Sequence, residues 1–284
     1  ASIGATIYPA DNADLDTLLR HADQAMYQAK QAGKNHHELF NVQQDKQIIQ
    51  QHLRLDEIEQ ALQNDEFVLH YQPKVNMATG EVTGVEALIR WHHPNKGLIP
   101  PLDFLPVIEG TELENSIGNW VINQALIQLE IWQGEGINTE VSVNIASQHL
   151  QSEMFFSQLD HALAKHPSIN SRALQLEILE SSALGDLNTV GSIIKNCQSA
   201  LGVNVSLDDF GTGYSSLTHL RNLTATTIKI DQSFVRDMLD DPSDYAIIDG
   251  IIGLTSAFRR KVIAEGVEST NHGLMLMIMG CYHA

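Results

Sequence analysis

Six short apolar segments of this chain each carry a polar residue where a buried strand does not tolerate one unless it is paired or metal-bound. The segments are residues 85–88, 141–145, 176–178, 205–209, 228–230 and 262–265. One such residue could belong to a buried salt bridge. Six of them, each near the C-terminal end of a separate predicted strand, indicate one polar centre built by a parallel barrel, because such a fold keeps its chemistry there.

The polar residues are of types that bind hard cations. Carboxylate and amide oxygens are the preferred ligands of Mg²⁺ and Mn²⁺, and the candidate ligands are Glu86, Asn144, Glu177, Asp208 and Asp209. None of the 13 histidines falls at a matching strand end, which disfavours zinc. Several acids and one amide favour two ions about 3.5–4 Å apart, a geometry used to cleave phosphodiesters.

Two basic residues could act in the predicted metal site or could instead form structural ion pairs with its acids. Lys229 could hold or deprotonate a water at the ions, and Arg90, which shares the inward parity of Glu86, could clamp a phosphate oxygen. The alternative is a purely structural network of buried ion pairs. It would join Lys229 to Asp208 and Arg90 to Glu86.

Strand periodicity predicts which side chains face this centre. Successive side chains of a strand point to opposite faces, so Val141 and Val143 share one face while Ser142 and Asn144 share the other. We expect the apolar face to pack against outer helices and the polar face to line the barrel.

The backbone must change direction near Asp208 and Asp209 if both acids are to face the same site. A regular strand would direct them to opposite faces, so both reach one site only if the strand ends there. The following segment, Phe210-Gly211-Thr212-Gly213, is suited to such a bend because glycine adopts backbone conformations that other residues avoid.

Length and composition limit the possible folds, partners and locations of this chain. The 284 residues can form one barrel of about 250 residues and an extra segment. The formal net charge of -18 argues against binding to nucleic acid or to an anionic membrane surface. No apolar run reaches the length of about 18 residues that a membrane span needs. Two cysteines without ligand-type spacing favour reduced thiols and a cytoplasmic location.

Hydrophobic patterning predicts an α/β architecture after a short first segment. A strand at residues 2–8 and a helix from Leu15 to Gly33 form a segment that is too small to be a domain. Residues 42–64 are predicted to be a helical linker. Strands are then expected near residues 67–75, 82–90, 140–146, 174–179, 203–209, 226–231 and 261–266. Helices are expected near residues 116–134, 150–165, 187–201, 214–221, 243–258 and 270–279. The turn at Gly80 predicts that the first two strands of this region are antiparallel neighbours.

Seven sequence blocks in order resemble the EAL domain family. The first two are Tyr71-Gln72-Pro73-Lys74 and the naming motif Glu86-Ala87-Leu88, which continues to Arg90-Trp91. The others are Ser142-Val143-Asn144-Ile145, Leu176-Glu177-Ile178-Leu179-Glu180, Asp208-Asp209-Phe210-Gly211-Thr212-Gly213-Tyr214-Ser215, Lys229-Ile230-Asp231 and Ala264-Glu265-Gly266-Val267-Glu268. The resemblance covers about residues 53–284.

The resemblance implies a modified TIM (β/α)8 barrel that hydrolyses cyclic di-GMP to linear pGpG with Mg²⁺ or Mn²⁺. It implies a first ion at Glu86, Asn144, Glu177 and Asp208. It implies a second ion at Asp208, Asp209 and Glu265. Lys229 would position or activate the water.

The resemblance also implies residues around the metal centre. Glu180 would anchor the loop that begins at Asp209, a loop that the family uses in metal binding and in dimer contact. The residues expected to touch the dinucleotide are Gln72, Leu88, Arg90 and Asp231. Two departures from the family pattern, Leu179 in place of a threonine and Thr224 in place of a proline, do not affect a ligand.

The first segment resembles the C-terminal end of a GGDEF (diguanylate cyclase) domain. The matching residues are 1–5 and 22–35. We therefore expect a GGDEF remnant at residues 1–41, the linker at 42–64 and an EAL domain at 65–284. The family pattern continues after residue 284 with Gln-Gly-Tyr and the last strand, so we expect both to be missing from this chain, with two open barrel edges and weakened stability or activity. The parent protein could be anchored to a membrane through upstream segments.

A catalytically inactive receptor for cyclic di-GMP is the alternative function. Receptor-type EAL domains typically lose acids from the metal set. Every acid named above as a ligand is present here, so the resemblance favours hydrolysis. Release of pGpG that depends on a metal would discriminate between the two functions.

Overall fold

The computed structural model describes residues 1–33, 35–184, 187–212 and 223–284. The predicted helix near 214–221 lies outside the described residues, as do the last residues of the block at 208–215. The chain divides into two compact units, Ala1–Gln63 and Asn64–Ala284. Within the described residues, the structure contains no helix with the combined length and apolarity that crossing a membrane requires.

The first unit is a small α/β arrangement. Strand β1 (Ile3–Ala5) pairs in parallel with β2 (His37–Leu39), and helix α1 (Leu15–Gln31) connects them. Asp14 begins α1 by accepting a hydrogen bond of 2.9 Å from the amide of Thr17, which satisfies one of the free donors of the first turn. The strand and the helix predicted here are confirmed, whereas β2 was not predicted. Helix α2 (Val42–Gln63) completes the unit at the predicted helical linker.

The second unit is built on one curled sheet. Its strands are β3 (Phe67–Asn76), β4 (Glu81–His93), β5 (Gly97–Ile99), β6 (Val141–Asn144), β7 (Leu174–Leu179), β8 (Asn204–Phe210), β9 (Thr227–Ile230) and β10 (Lys261–Ala264). The order across the sheet is β10-β9-β8-β7-β6-β4-β3, with β5 added beside β4. All pairs from β4 through β6 to β10 are parallel, and β3 is antiparallel to β4. The predicted α/β barrel architecture is confirmed, with β3 as the one antiparallel strand of the main order; the short β5 is a second antiparallel neighbour of β4.

Helices follow the strands, as a parallel sheet requires. They are α3 (Leu105–Ile108), α4 (Glu112–Gly134), α5 (Ser147–Gln151), α6 (Phe155–Lys165), α7 (Glu180–Leu184), α8 (Leu187–Asn196), α9 (Gln232–Asp237), α10 (Pro242–Ala257) and α11 (Thr270–Met279). The predicted helix at 150–165 is two helices, because the chain between α5 and α6 is extended at Ser152. A π-helical segment, Cys197–Leu201, continues α8 over the rest of its predicted range.

The strands carry one apolar face and one polar face, as their periodicity predicted. Val141 and Val143 of β6 are fully buried on one side. On the other side, polar residues form a buried layer inside the curled sheet, namely Lys74, Ser142, Gln175, Ser206 and Thr227. This layer lies one step before the strand ends, since Ser142 and Gln175 pair in register and precede the Asn144–Glu177 pair.

Residues 282–284 bridge the two outer strands of the sheet. Ala284 and Val75 of β3 exchange two backbone hydrogen bonds of 2.7 and 3.0 Å. On the other side, the amide of Ala264 in β10 donates to the carbonyl of His283 at 2.9 Å. These residues form an isolated bridge to β3, at Asn76 and His283, and no strand. The predicted open edges are therefore linked at this point.

Candidate active site

The ammonium group of Lys229 is the centre of the site. Lys229 lies on β9 with 1% of its surface exposed. Its Nζ lies 2.6 Å from Glu177 Oε2, 2.6 Å from Glu265 Oε1, 3.0 Å from Glu86 Oε2 and 3.1 Å from Asp208 Oδ2. Carboxylates from four strand ends (β4, β7, β8 and β10) thus converge on one cation. The amide of Asn144 adjoins them and donates to Glu86 Oε1 at 2.8 Å.

The convergence follows from strand register. Asn144 pairs with Glu177 across β6 and β7, and Leu179 pairs with Asp208 across β7 and β8. Ile263, which precedes Glu265 by two residues, pairs with Lys229. Parallel neighbours therefore bring residues of the same parity to one edge of the sheet. The predicted set of Glu86, Asn144, Glu177, Asp208, Glu265 and Lys229 is brought into direct contact.

Asp208 and Asp209 both reach the site because β8 contains a bulge. The register between β8 and β9 shifts between Leu207 and Phe210, so two residues of β8 face one residue of β9. Asp209 adopts a left-handed backbone with φ of 51°, a conformation that aspartate tolerates better than most residues. The expected bend is therefore at Asp209 itself and not after the end of the strand. Bulges of this kind often redirect side chains near active sites.

One cation cannot neutralise all these acids. Burial opposes charge on Lys229, but the charges of Glu177, Glu265, Asp208 and Glu86 outweigh it and hold the pKa of Lys229 well above its ordinary value. Burial raises the pKa of Glu265 to about 7 against the opposing charge of Lys229. Lys229 therefore stays protonated. The four acids around it carry more negative charge than its single positive charge can balance.

The two acids of the bulge show the same crowding. Burial and the charges of Asp208 and Asp231 raise the pKa of Asp209 to about 6. Burial also raises the pKa of Asp208, and the ammonium of Lys229 only partly opposes this shift. Carboxylates held together with raised pKa values lack positive charge, and a divalent cation would supply it.

The donor set fits divalent cations. Carboxylate oxygens of Asp208, Asp209 and Glu265 all lie within 4.8 Å of one another. The neighbouring Glu86, Asn144 and Glu177 add further oxygen donors around Lys229. All are oxygen ligands, which is the donor type that Mg²⁺ and Mn²⁺ prefer. The sites predicted for the two ions share Asp208 and lie next to each other.

Glu180 lies behind this cluster and contacts the bulged strand. It is the first residue of α7 and is 1% exposed. Its Oε2 accepts a hydrogen bond of 2.8 Å from the backbone amide of Gly211, two residues after Asp209. Among the described residues, its Oε1 has no hydrogen-bond partner. Its position therefore matches the predicted anchoring contact with the loop after Asp209.

The residues predicted to touch the dinucleotide lie beside and beyond the acids. Gln72 pairs in register with Glu86 and lines a cavity of about 490 Å³, whose wall also includes Lys229 and Glu265. Leu88 and Arg90 follow Glu86 on β4, and Arg90 donates to its neighbouring carbonyl, Ile89 O, at 2.8 Å. The predicted pair of Arg90 with Glu86 is therefore replaced by a backbone contact. The pair of Lys229 with Asp208 is present at 3.1 Å.

Asp231, which is predicted to touch the dinucleotide, makes a structural contact in the fold. Its side chain caps the N-terminus of α9 by accepting from the amide of Ser233 at 2.9 Å and from the hydroxyl of the same serine. These hydrogen bonds outweigh burial and hold the pKa of Asp231 below its ordinary value. Asp231 therefore remains charged beside Asp209, whose proton affinity it raises.

Sequence reasoning missed Lys74. This residue of β3 is 6% exposed, and its Nζ lies 2.5 Å from Glu177 Oε1. The available signal was parity, because Lys74 follows Gln72 by two residues and therefore shares its inward face. With this signal, Lys74 would have been predicted as a second buried cation beside the acids at the strand ends.

Protein-family models match both parts of the chain. The model described as EAL domain matches residues 55–284. The model described as diguanylate cyclase, GGDEF domain, matches residues 1–36.

Two curated relatives extend over almost the whole chain. The bifunctional diguanylate cyclase/cyclic di-GMP phosphodiesterase MucR of Pseudomonas aeruginosa is 39% identical over 282 residues, which is 99% of this chain and 41% of the relative. The cyclic di-GMP phosphodiesterase PdeR of Escherichia coli is 38% identical over 276 residues, which is 97% of this chain and 41% of the relative. The chain thus spans about two fifths of the length of these relatives.

Solved structures have the same fold. The PaMucR phosphodiesterase in complex with c-di-GMP has a TM-score of 0.77 and 39% identity, and the match covers 81% of this chain and 93% of that one. The EAL enzyme Bd1971, in its form with cAMP and cyclic-di-GMP bound, has a TM-score of 0.78 and 31% identity, over 96% of this chain and 72% of that one.

Proposed function

Because the chain belongs to the EAL domain family, we propose that it hydrolyses cyclic di-GMP to linear pGpG with two Mg²⁺ or Mn²⁺ ions. The observation that carries this proposal is the convergence of four carboxylates on the buried ammonium of Lys229. Two relatives that cover nearly the whole chain are named as cyclic di-GMP phosphodiesterases, which supports the choice of substrate.

The proposed ligands divide into two sets that share Asp208. Glu86, Asn144, Glu177 and Asp208 would hold the first ion, and Asp208, Asp209 and Glu265 would hold the second. The raised pKa values of Asp209 and Glu265 support this assignment, since burial and neighbouring acids outweigh the charge of Lys229 at both. Divalent ions at such a site lower the pKa of water and offset charge on a phosphodiester.

Lys229 would position the attacking water. Its surrounding carboxylates keep it protonated, so its ammonium can donate hydrogen bonds to a water oxygen or to a phosphate oxygen. A permanent donor of this kind is suited to holding a water in line with the scissile bond. Glu265, which contacts Lys229 at 2.6 Å, would orient the ammonium.

The remaining predicted residues would act on the substrate or on the loop. Gln72, at the cavity wall beside Glu86, would contact the dinucleotide. Leu88 would pack against it, and Arg90 would pair with a phosphate oxygen, as a guanidinium readily does. Asp231 would contact it next to Asp209. Glu180 would hold the loop that follows Asp209.

The proposal includes the setting of the enzyme. We infer that residues 1–41 are the C-terminal part of a GGDEF domain, that 42–64 form a helical linker and that 65–284 form the EAL domain. We further propose a cytoplasmic location and a homodimer formed through the EAL domain, with no DNA or RNA partner and no membrane contact from this segment. The dimer is tested by light scattering with and without cyclic di-GMP.

Product analysis tests the activity. The protein is incubated with cyclic di-GMP and Mg²⁺ or Mn²⁺, with and without chelator, and pGpG is followed by chromatography. We expect pGpG that disappears with chelator. Glu86→Ala should abolish turnover by removing an ion ligand, whereas Glu153→Gln, at an exposed position, should not change it. Near-normal turnover in Glu86→Ala would refute the ligand assignment, and tight binding without product would favour the receptor function.

A further inference from the structure

Each oxygen of the Glu177 carboxylate contacts its own lysine. Oε2 lies 2.6 Å from Lys229 Nζ, and Oε1 lies 2.5 Å from Lys74 Nζ. The Glu177 side chain has 0% of its surface exposed, so water cannot take the place of either lysine. The charge and the orientation of this carboxylate therefore depend on both ammonium groups.

Lys229 cannot replace Lys74. An ammonium has three hydrogens, and Lys229 already faces four carboxylate oxygens, from Glu86, Glu177, Asp208 and Glu265. Of these acids, Glu177 is the most deeply buried. Burial alone would raise the pKa of Glu177, yet the charges of Lys229 and Lys74 together hold it below its ordinary value.

Hydrogen bonds to the buried polar layer inside the sheet hold Lys74 in place. Its Nζ donates to Ser142 Oγ at 2.5 Å and, at a long 3.5 Å, to Gln175 Oε1. Ser142 Oγ donates to Gln175 Oε1 at 2.9 Å, and Gln175 Nε2 donates to Thr227 Oγ1 at 3.3 Å. This buried chain joins β3, β6, β7 and β9 across the inside of the sheet. Lys74 thus connects the proposed metal centre to the hydrogen-bonded polar layer inside the sheet.

We propose that Lys74 is a positioning residue, whose ammonium holds Glu177 Oε1 against this layer so that Oε2 alone is offered to a bound ion. The inference rests on the proposed function, because it takes Glu177 as an ion ligand. It also assigns Lys74 the counter-charge that keeps Glu177 in place before an ion binds. Groups that hydrogen-bond a metal ligand commonly set its orientation and tune the metal.

Melting temperatures with and without metal test this inference. The variants are Lys74→Met, Glu177→Gln, the double replacement, and Lys165→Met as a control at an exposed lysine. In chelator, Lys74→Met should lower the melting temperature by about 10 °C, because it leaves a buried carboxylate with too little counter-charge. In Mn²⁺ the loss should be less than half as large, because the ion supplies positive charge. Lys165→Met should change neither value by more than about 2 °C.

The double replacement separates charge pairing from loss of packing. Lys74→Met with Glu177→Gln removes both charges and should recover at least half of the melting temperature lost in Lys74→Met. A general packing defect would instead leave the double replacement as unstable as the single one. This comparison also decides the case in which Lys74→Met does not fold in chelator.

Turnover adds a readout that a purely structural residue would not change. At saturating Mn²⁺, Lys74→Met should lower kcat about tenfold or more, with the KM for cyclic di-GMP within about twofold of the unchanged protein. Equal losses of melting temperature in chelator and in Mn²⁺, or no recovery in the double replacement, would overturn the role of Lys74. If Mn²⁺ does not stabilise the unchanged protein, the metal centre of the proposed function fails instead, and the chelator measurements still decide the Lys74–Glu177 pairing.

Discussion

Glu180 Oε2 accepts a hydrogen bond of 2.8 Å from the backbone amide of Gly211. Glu180 follows β7 directly, and Gly211 follows β8 directly, so this bond joins the ends of two neighbouring strands. Asp208 and Asp209 precede Gly211 by three and two residues. The buried carboxylate therefore holds the backbone that presents both acids to the site.

We expect Glu180→Ala to weaken the response to Mn²⁺ without removing any ligand. Loss of the Gly211 contact should free the segment after Asp209 and raise the Mn²⁺ concentration for half-maximal turnover by about 10–100-fold. Glu180→Gln keeps an oxygen acceptor of the same length and should remain much closer to the unchanged protein. Identical Mn²⁺ titrations for the alanine and glutamine variants would contradict the anchoring role.

The left-handed backbone of Asp209 predicts an unusual order of variant stabilities. Its φ of 51° is open to glycine but unfavourable for a β-branched residue. Asp209→Val should therefore be less stable than Asp209→Gly by about 1–2 kcal/mol. Both variants lose the same carboxylate, so the loss of the ion ligand cancels in the difference between them. Urea unfolding measures it, and a valine variant as stable as the glycine variant would argue against the bulge.

Periodicity was sufficient to predict the parts of the site that lie on regular strands. Glu86, Asn144 and Glu177 have a fixed parity relative to apolar neighbours, and the structure brings them together. Their convergence follows from parallel pairing, which the alternation of strands and helices also predicts. Local sequence therefore determines both which face each side chain takes and which edge it reaches.

The rest depends on contacts that local sequence does not encode. The bulge at Asp209 is a shift of register against β9, so it depends on the neighbouring strand as well as on Asp209. Lys74 is separated by 103 residues from Glu177, its main partner. Its significance emerges only when the curled sheet brings β3 opposite β7. The short strand β5 was missed because three residues give too little pattern.

Calcium should bind the centre without supporting normal turnover. Ca²⁺ takes about 6–8 oxygen ligands at about 2.3–2.6 Å, whereas Mg²⁺ requires six at about 2.0–2.1 Å. The same carboxylates can adapt to the larger ion, but a water held by Lys229 would then be misplaced relative to the substrate. We expect Ca²⁺ to stabilise the protein against heat and to inhibit production of pGpG. Full activity in Ca²⁺ would count against a tight two-ion site.

His149 is a fully buried histidine away from the acids. Its Nε2 lies 3.2 Å from Asn119 Oδ1, and its ring packs edge-to-face on Phe155 at 5.0 Å. A side chain at Gly118 would meet the ring, since a Cβ there would lie 2.2 Å from His149 Nδ1. Burial lowers the pKa of His149 to about 4. The folded protein therefore keeps this imidazole neutral at pH values where the unfolded chain protonates it.

The sign of the resulting pH dependence is fixed by this pKa shift. The contribution of His149 to stability is complete above the unfolded pKa of 6.5 and is lost as the pH falls towards 4. Between pH 6.5 and pH 5.5 the loss should be about 1 kcal/mol. His149→Gln removes this loss. The difference in unfolding free energy between the unchanged protein and His149→Gln should therefore shrink by about 1 kcal/mol from pH 6.5 to pH 5.5. His161→Gln, at an exposed position, should leave the difference constant. If the unfolding free energies of His149→Gln and the unchanged protein differ by the same amount at both pH values, the pKa of His149 is not lowered by folding.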